Sequence, residues 1–291
     1  MGKNKKTTIQ IIAGPTASGK SAKALELARK KNGVIINCDS LQVYDGLHIL
    51  TAHPSEEEKN ETPHRFYGTL HPNEVCSAGN WREMVEPIIN EVIENDQTPI
   101  ICGGTGLYIK ALTDGLSPVP DVPEDIRAAV VARYEEIGAE EFYKDLQARD
   151  PIMAERFHVN HKARIIRAME VLESTGKSLA EWQELPRTPP PEEWNFELHK
   201  VLPDRAILYE RCNKRFEWML ENDALEEVKT FDRRLQSGEV NDGVPLCKAL
   251  GFKELRSYIN GEITKDEAIT KSQTLTRQYA KRQMTWLRNQ L

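Results

Sequence analysis

The sequence predicts an α/β protein in which a parallel sheet flanked by helices carries a mostly helical insertion. Three observations predict this fold. Strand and helix patterns alternate through the first hundred residues, and strands joined by helices favour a parallel sheet with helices on both faces. A glycine-rich motif stands between the first strand and the first helix. After Gly115 only helical patterns follow, until a proline-rich stretch returns the chain to a strand pattern.

The predicted strands are short apolar runs, as expected for strands buried in a sheet. They cover residues 8–13, 34–37 and 99–102, and a later one covers 197–202. Helical spacing of apolar residues predicts a helix over 21–31 and another over 81–92. We expect Pro87 to kink or restart the second helix, since proline lacks the N–H that an interior position donates.

Two proline-rich stretches bound the insertion, LSPVPDVPED after Gly115 and PRTPPP at residues 186–191. Proline-rich segments of this kind act as stiff, extended linkers. We therefore predict a discontinuous α/β core made of residues 1–114 and 196–291. Residues 115–195 are predicted to form the helical insertion domain.

The composition fits a globular protein and excludes a polycation. Of the 291 residues, 39% are hydrophobic and 29% are charged, with a net charge of −6. A nucleic-acid site would therefore need a local basic surface. The five cysteines lack zinc-binding or disulfide spacing, so free thiols are expected. No signal peptide pattern and no run of about 18 apolar residues occurs. We expect a cytoplasmic protein without a membrane anchor, and a monomer by default.

Residues 14–21, GPTASGKS, match the phosphate-binding P-loop motif G-x-x-x-x-G-K-[ST]. Its glycines let backbone N–H groups converge on phosphate oxygens, and the following helix N-terminus adds positive potential. In a P-loop NTPase-like sheet, Lys20 should reach the terminal phosphate and Ser21 should contact Mg²⁺. The motif suits ATP, GTP or any diphosphate. The predicted phosphate-binding residues are Gly14, Pro15, Thr16, Ala17, Ser18, Gly19, Lys20 and Ser21.

Asp39 and Thr105 follow the second and third predicted strands, on the sheet edge where the P-loop also lies. Ligands of such sheets bind at the carboxyl ends of the strands, so we expect both side chains beside the phosphate. Three roles remain open for Asp39: a magnesium ligand through water, a general base, or a cap of the following turn. Thr105 lies in GGTGLY, a pattern that an ordinary strand-to-helix turn also shows.

In the last predicted helix, residues 271–291 carry a cationic strip and contain no acidic residue. The strip consists of Lys271, Arg277, Lys281, Arg282 and Arg288, with Tyr279 and Trp286 between them. Such a strip suits a nucleic-acid backbone, with aromatic rings for stacking. A basic helix end that complements the helix dipole would look the same. Two arginine pairs, 164 with 167 and 211 with 215, are also candidates for phosphate contacts, although solvated faces often show such pairs.

Six motifs together resemble one family in order and spacing. They are GPTASGKS, DSLQVY, GGTGLY, RAMEVLESTGKSL, KALGFKE and TRQYAKRQMTWLR. Over nearly its whole length, the chain is similar to the bacterial tRNA dimethylallyltransferases, a family of tRNA isopentenyltransferases. The resemblance implies transfer of a dimethylallyl group from dimethylallyl diphosphate to the exocyclic amino group of the adenosine 3′-adjacent to the anticodon, with release of diphosphate. It also implies Mg²⁺ as cofactor and a P-loop that binds diphosphate rather than ATP.

The resemblance also implies roles for residues at matching positions. Asp39 corresponds to the base, Thr105 and Arg127 correspond to further active-site residues, and Arg215 corresponds to a diphosphate ligand. The insertion domain is implied to contribute to tRNA binding. The stretches that would contact the tRNA anticodon stem-loop are Asp39, Ser40, Leu41 and Gln42; Ala163, Arg164, Ile165, Ile166 and Arg167; Lys248, Ala249, Leu250, Gly251, Phe252 and Lys253; and Lys281, Arg282, Gln283, Met284, Thr285, Trp286, Leu287 and Arg288.

Other activities share part of this pattern. An adenylate isopentenyltransferase, which makes a free cytokinin precursor, would need the P-loop and Asp39 but neither the insertion nor the basic last helix. A small-molecule kinase would use the loop for ATP and Asp39 for the metal. A non-catalytic RNA-binding P-loop switch would leave Asp39 without a role. The sequence departs from the family at Val159-Asn160-His161, where Pro-Asn-Asp is usual, and at Phe252, where Tyr is usual.

Overall fold

The structure, a computed structural model, describes residues 6–291, so the polar N-terminal residues 1–5 lie outside the described residues. The chain forms two compact units. One comprises Met1–Thr113 and Pro191–Leu291, and the other comprises Asp114–Pro190. The second unit ends at Pro190 rather than at the predicted residue 195, because the chain from Pro191 onward leads into the last strand of the sheet.

The first unit contains a five-stranded parallel sheet, which confirms the predicted α/β class. Its strands are β1 (Thr7–Ala13), β2 (Gly33–Asn37), β3 (His64–Arg65), β4 (Thr98–Gly103) and β5 (Trp194–Lys200). They lie in the order β3-β2-β4-β1-β5. The central strands β1, β2 and β4 are buried along most of their length. This burial explains why their sequences are continuous apolar runs rather than alternating patterns.

The last strand begins and ends earlier than the sequence predicts. Residues 197–202 were expected, whereas β5 is Trp194–Lys200 and pairs Thr7 with Trp194. β5 lies at the end of the strand order, and only Trp194 is fully buried in it. An edge strand that is largely exposed has a weak apolar pattern, so its pairing with β1 rather than its composition sets its bounds.

The helices of both units are numbered along the chain. They are α1 (Lys20–Lys31), α2 (Glu56–Glu61), α3 (Ala78–Glu94), α4 (Gly106–Thr113), α5 (Glu124–Arg149), α6 (Pro151–Arg156), α7 (Lys162–Thr175), α8 (Leu179–Glu184), α9 (Arg205–Glu221), α10 (Ala224–Gln236), α11 (Phe252–Ile259) and α12 (Lys265–Gln290). A short 3₁₀ turn, Pro245–Lys248, precedes α11. Helices α5 to α8 belong to the second unit and the others to the first.

Helix α3 runs through Pro87 as a single helix, so the restart, one of the two outcomes predicted there, does not occur. Pro87 is exposed, and water can satisfy the Glu83 carbonyl that its missing N–H leaves free. On the opposite face, Trp81, Val85 and Ile89 are fully buried. Their packing outweighs the lost hydrogen bond and keeps the helix continuous.

The second unit has its own hydrophobic core, in which Phe142, Leu146 and Ile165 are fully buried. Helix α5 is interrupted at Gly138, whose φ of 78° lies outside the helical region. Glycine adopts this conformation without the penalty that a Cβ atom would bring. The break lets the two halves of α5 take different directions while both stay packed in one core.

All five cysteines are free thiols; Cys38, Cys102 and Cys212 are buried, and Cys76 and Cys247 are partly exposed. Their state agrees with the expectation drawn from their spacing. Within residues 6–291, no helix is both long and apolar enough to cross a bilayer.

Replacing Phe142 by alanine should destabilise the second unit by about 3–5 kcal/mol, because a large cavity opens in its core. The matched control is Ile137→Ala on the same helix, since Ile137 is 39% exposed. We expect this control to change the free energy of unfolding by less than about 0.5 kcal/mol. Urea denaturation of the full chain measures both changes. Equal effects of the two substitutions would show that Phe142 does not anchor this core.

Candidate functional site

The P-loop connects β1 to α1 and is held by two arginines of α9. Arg211 Nη1 donates a hydrogen bond to the Ser18 carbonyl at 3.0 Å, and Arg215 Nη2 donates to Thr16 Oγ1. Gly19 has a φ of 94° and precedes α1, which has no side-chain cap. The first N–H groups of an uncapped helix lack intrahelical partners and can bind an anion.

Two cations lie at the loop without an acidic partner. Lys20 and Arg215 are partly buried, and burial lowers the pKa of both side chains. Within residues 6–291, neither forms a salt bridge with a carboxylate within 4.0 Å. Ser18 Oγ is also buried and lacks a hydrogen-bond partner in this part of the chain. Buried cations are normally paired, so this loop has the electrostatic character of an anion site.

Asp39 follows β2 and is held by its neighbours. The Trp81 indole donates to the Asn37 carbonyl at 3.0 Å, and the Asn37 side chain bonds both backbone groups of Asp39. Asp39 Oδ1 accepts the Leu41 N–H at 3.1 Å. The carboxylate therefore does cap the following turn, which was one of its three predicted roles. This bond occupies one of its two oxygens, so it does not exclude chemistry at the other.

Thr105 is tied to the same turn. Its N–H donates to the Cys38 carbonyl at 3.2 Å, and its Oγ1 accepts the Ser40 N–H at 3.0 Å. This close approach requires glycine before it, because a Cβ atom at Gly103 would lie 2.0 Å from the Cys38 carbonyl oxygen. The glycine pattern that looked ambiguous in sequence is therefore what lets the turns after β2 and β4 meet.

A cavity of about 370 Å³ opens beside these turns. It brings together four residues predicted for different roles: Thr16 of the P-loop, Asp39, Arg215 and Arg282. The rest of its lining is Ser40, Leu41, Leu50, Thr51, Cys212, Phe216, Met219, Lys248, Ala249, Leu250, Thr276 and Tyr279. The cavity thus combines a carboxylate and cations with a largely apolar wall, which suits a ligand that has both polar and hydrocarbon parts.

A second cavity, of about 220 Å³, shares Arg215 with the first one as a lining residue. Lys20 and Ser21 line it from the P-loop, and His53 and Tyr67 also border it. Burial, then the neighbouring His48, lowers the pKa of His53 to about 3, so its imidazole is neutral at neutral pH. Lys20 of the P-loop therefore faces this smaller, polar cavity, while Asp39 faces the larger one.

The residues at the P-loop also fit a magnesium ion that is bound mainly through phosphate. Ser21 is exposed at the start of α1 and offers a hydroxyl oxygen to the smaller cavity. Residues 6–291 contain no cluster of three or more histidine, cysteine or acidic side chains that could hold a metal by themselves. Mg²⁺ usually keeps several waters and uses one or two protein ligands together with substrate phosphates.

The predicted RNA-contacting stretch on α12 divides into two faces. Lys281, Arg282, Thr285 and Arg288 are exposed, and Trp286 is partly exposed. Gln283, Met284 and Leu287 are buried. Only the first set can present side chains to an RNA, because the second set belongs to the core. Arg277 of the cationic strip is also engaged within the protein, since it donates to Asn213 Oδ1 at 2.7 Å.

The stretch before α11 shows a similar division. Lys248, Ala249 and Leu250 line the larger cavity, and Lys253 is exposed. Gly251 and Phe252 are buried, and the Phe252 ring packs edge-on against Phe231 with centroids 5.5 Å apart. This apolar environment gives a tyrosine hydroxyl no role at position 252.

Gln42 of the stretch after β2 is also committed within the first unit. Its amide donates to the Thr51 and Ala52 carbonyls at 2.9 and 2.6 Å. Its side chain therefore holds a turn that borders the cavities.

The remaining predicted residues lie in the second unit. Arg127, in the first turn of α5, has Nη1 at 3.9 Å from Glu124 Oε2. In α7, Ala163 and Arg164 are exposed and Arg167 is partly buried beside Glu170, at 3.4 Å. Ile165 and Ile166 are buried core residues, so their side chains do not reach a ligand. Just before this helix lies His161, which replaces the aspartate that is usual in the family. Its Nδ1 accepts a hydrogen bond from the His158 N–H at 3.2 Å.

Four further residues shape the larger cavity and were not predicted from the sequence. Leu50, Phe216 and Met219 form part of its apolar wall. Glu227 of α10 accepts the Ile49 and Leu50 N–H groups at 2.8 and 2.9 Å, which holds that wall in place. Arg215, Phe216 and Met219 lie close together on one helix, because residues three and four apart are neighbours on a helix surface. This spacing could have indicated that Phe216 and Met219 border the same site as Arg215.

Comparison with known proteins identifies the family. Residues 42–290 match the family described as IPP transferase. A tRNA dimethylallyltransferase of Agrobacterium fabrum is 44% identical, over 97% of this chain and 93% of that protein. The crystal structure of a tRNA isopentenylpyrophosphate transferase from Bacillus halodurans has a TM-score of 0.66 and 32% identity, covering 98% of this chain and 88% of its own.

A eukaryotic dimethylallyltransferase acting on tRNA has a TM-score of 0.79 and 26% identity, covering 97% of this chain and 70% of its own. The solved structures thus share the fold, and the matches extend over almost the whole chain. By the extent of these matches, the chain belongs to the IPP transferase family.

Proposed function

We propose that this protein is a tRNA dimethylallyltransferase, which transfers a dimethylallyl group from dimethylallyl diphosphate to the exocyclic amino group of the adenosine 3′-adjacent to the anticodon. One observation carries the proposal: among the described residues Lys20 and Arg215 form no salt bridge, and they line a cavity that adjoins the one containing Asp39. The names and activities of the relatives described above support the same reaction.

The diphosphate of the donor binds at the P-loop. There the uncapped start of α1 offers N–H groups, and Lys20 and Arg215 supply positive charge. The hydrocarbon group of the donor extends past Arg215 toward the apolar wall formed by Leu50, Phe216 and Met219. Arg215 lines both cavities. The bond that joins the diphosphate to the hydrocarbon group of the donor would therefore lie beside Arg215.

The reaction forms a bond between the adenine amino nitrogen and the first carbon of the dimethylallyl group, and it breaks the bond from that carbon to the diphosphate oxygen. Lys20 and Arg215 stabilise the charge that develops on the leaving diphosphate. Asp39 accepts the proton that the amino group loses, and Thr105 fixes the turn that carries Asp39 through Ser40. Ser21 would hold Mg²⁺, which when bound supplies further positive charge to the diphosphate oxygens.

The RNA meets the protein along the exposed face of α12. Lys281, Arg282 and Arg288 form a cationic surface, and the Arg282 guanidinium lies 5.7 Å from the centre of the Tyr279 ring. Arg282 and Tyr279 also line the larger cavity, so this surface continues into the site of the chemistry. An adenine that leaves the anticodon-loop stack would enter along this path, which costs a few kcal/mol that phosphate contacts can offset.

The two competing enzyme activities explain less of this site. A kinase would not need the apolar wall beside Asp39, and an adenylate isopentenyltransferase would not need the cationic face of α12. Offering AMP and an anticodon stem-loop as alternative acceptors separates the second case. Labelled phosphate transfer from ATP tests the first.

Mass analysis of tRNA after incubation with the protein, dimethylallyl diphosphate and Mg²⁺ tests the proposed function directly. We expect a gain of one isopentenyl unit, located on the adenosine that follows the anticodon. Omitting the donor serves as the control. No gain with any unmodified tRNA from a complete cellular set would overturn the proposal.

Replacing Asp39 by asparagine should slow transfer by about 10²–10⁴-fold, because an amide cannot accept the proton. Asparagine retains an oxygen for the Leu41 N–H, so the turn should stay intact. The matched control is Asp45→Asn, since the Asp45 side chain is 52% exposed and pairs with His48 at the surface. Single-turnover rates with saturating RNA measure both variants. A near-normal rate for Asp39→Asn would remove Asp39 as the base.

Replacing Lys281 by alanine should weaken RNA binding to a similar extent for all RNA sequences. The slope of log affinity against log salt concentration should fall by about 1, since one phosphate contact is lost. Lys214→Ala is the control, because Lys214 of α9 is exposed but paired with Glu210. Affinities measured over a series of salt concentrations give both slopes. An unchanged slope for Lys281→Ala would place the RNA on another surface.

A further inference from the structure

Gln283 is a buried polar residue in the middle of the basic helix α12. Only 7% of it is exposed, although its neighbour Arg282 is exposed and lines the larger cavity. Its side-chain oxygen accepts the Thr16 N–H at 2.8 Å. Its side-chain nitrogen donates to the Gly104 carbonyl at 3.0 Å. One amide thus joins the P-loop to the turn after β4.

The two partners of Gln283 lead to the two reacting groups. Thr16 lies in the P-loop and also accepts a hydrogen bond from Arg215. Gly104 precedes Thr105, whose hydroxyl accepts the Ser40 N–H next to Asp39. A continuous series of hydrogen bonds and peptide links therefore runs from the diphosphate loop through Gln283 to the carboxylate.

The amide matches both partners at once. A backbone N–H requires an acceptor and a backbone carbonyl requires a donor, and an amide offers both from adjacent atoms of one planar group. The fit is also steric, because a Cβ atom at Gly104 would lie 2.5 Å from Gln283 Nε2. Gly104 and Gln283 are therefore matched to each other.

We propose that Gln283 is a positioning residue that sets the distance between the diphosphate loop and Asp39. This inference rests on the proposed function, because it assigns the donor to the P-loop and the proton acceptor to Asp39. Gln283 does not touch either substrate in this arrangement. It acts through its hydrogen bonds to Thr16 and Gly104. The geometry of the site therefore depends on α12, the same helix that carries the cationic residues proposed to meet the RNA.

Replacing Gln283 by methionine keeps the volume of the side chain and removes both hydrogen bonds. We expect the single-turnover rate at saturating RNA and donor to fall by about 100-fold, since a displacement near 1 Å has such an effect on a positioned reaction. RNA affinity should change by less than about threefold, because only 7% of Gln283 is exposed and both polar atoms of its side chain are bonded within the protein. A parallel loss of RNA affinity and rate would show that Gln283 acts as an RNA contact instead.

Gly104→Ala gives a second, independent test that survives if the methionine variant folds poorly. The added methyl group should displace Gln283 and slow transfer to a similar extent. In Gln283→Ala, the space that the added methyl group needs is no longer filled by the Gln283 side chain. A close contact of 3.0 Å between this methyl group and the Gly14 carbonyl oxygen remains, and a small shift relieves it. Gly104→Ala should therefore cause little further loss in the Gln283→Ala background. Losses that multiply in the double variant would overturn the proposal.

The affinity for inorganic diphosphate separates this inference from the proposed function. It is measured without RNA or donor, and we expect Gln283→Met to weaken it by about tenfold, through displacement of the loop that Thr16 anchors. A wild-type affinity for diphosphate in both Gln283→Met and Gly104→Ala would contradict the positioning role. Absence of transfer by the wild-type protein would count against the proposed function instead.

Discussion

The uncompensated positive charge at the P-loop is the constraint on which the rest of the site depends. Lys20 and Arg215 come from distant parts of the chain and are kept close without a salt bridge to any carboxylate among residues 6–291. Burial lowers the pKa of both side chains, so keeping these charged groups at the loop costs free energy of desolvation. The surrounding fold supplies the restraint: α9 and α12 are each hydrogen-bonded to the loop.

The turn after β4 shows how tightly the first unit is assembled around this loop. Three of its glycines face three different neighbours: Gly103 the backbone of Cys38, Gly104 the amide of Gln283, and Gly106 the ring of Trp286. A Cβ atom at any of these positions would lie within 2.5 Å of the neighbour. The turn thus allows the strands, the P-loop and the last helix to converge, and small residues are required for geometry rather than for flexibility.

The sequence predicts well those features that depend on neighbouring residues. The three central strands, the P-loop and the position of Asp39 at a strand end follow from local patterns, as does the helical second unit. The bounds of β5 could not be predicted, because an edge strand shares hydrogen bonds with one partner only and is largely exposed. The continuity of α3 through Pro87 depends on packing of its buried face, which local propensity does not contain.

The candidate site was predicted in the same uneven way. Motif positions identified Asp39, Arg215 and the P-loop, and the structure brings these groups to adjoining cavities. The apolar wall of Leu50, Phe216 and Met219 arises from helices that meet only in the folded protein. Gln283 was predicted to contact RNA as part of the stretch 281–288, whereas helix periodicity turns it toward the interior. Polar residues inside amphipathic helices are where such sequence arguments are weakest.

The pairing of β5 with β1 has a consequence for the newly made chain. In the finished sheet, β1 lies between β4 and the edge strand β5. In the sequence, however, β5 comes only after the whole of the second unit. During synthesis, β4 can cover one side of β1 while its other edge stays open for roughly ten seconds, the time needed to make the intervening residues. An open, apolar strand edge invites pairing with other chains. The inserted unit thereby delays the covering of this edge until Trp194–Lys200 has left the ribosome and can pair with β1.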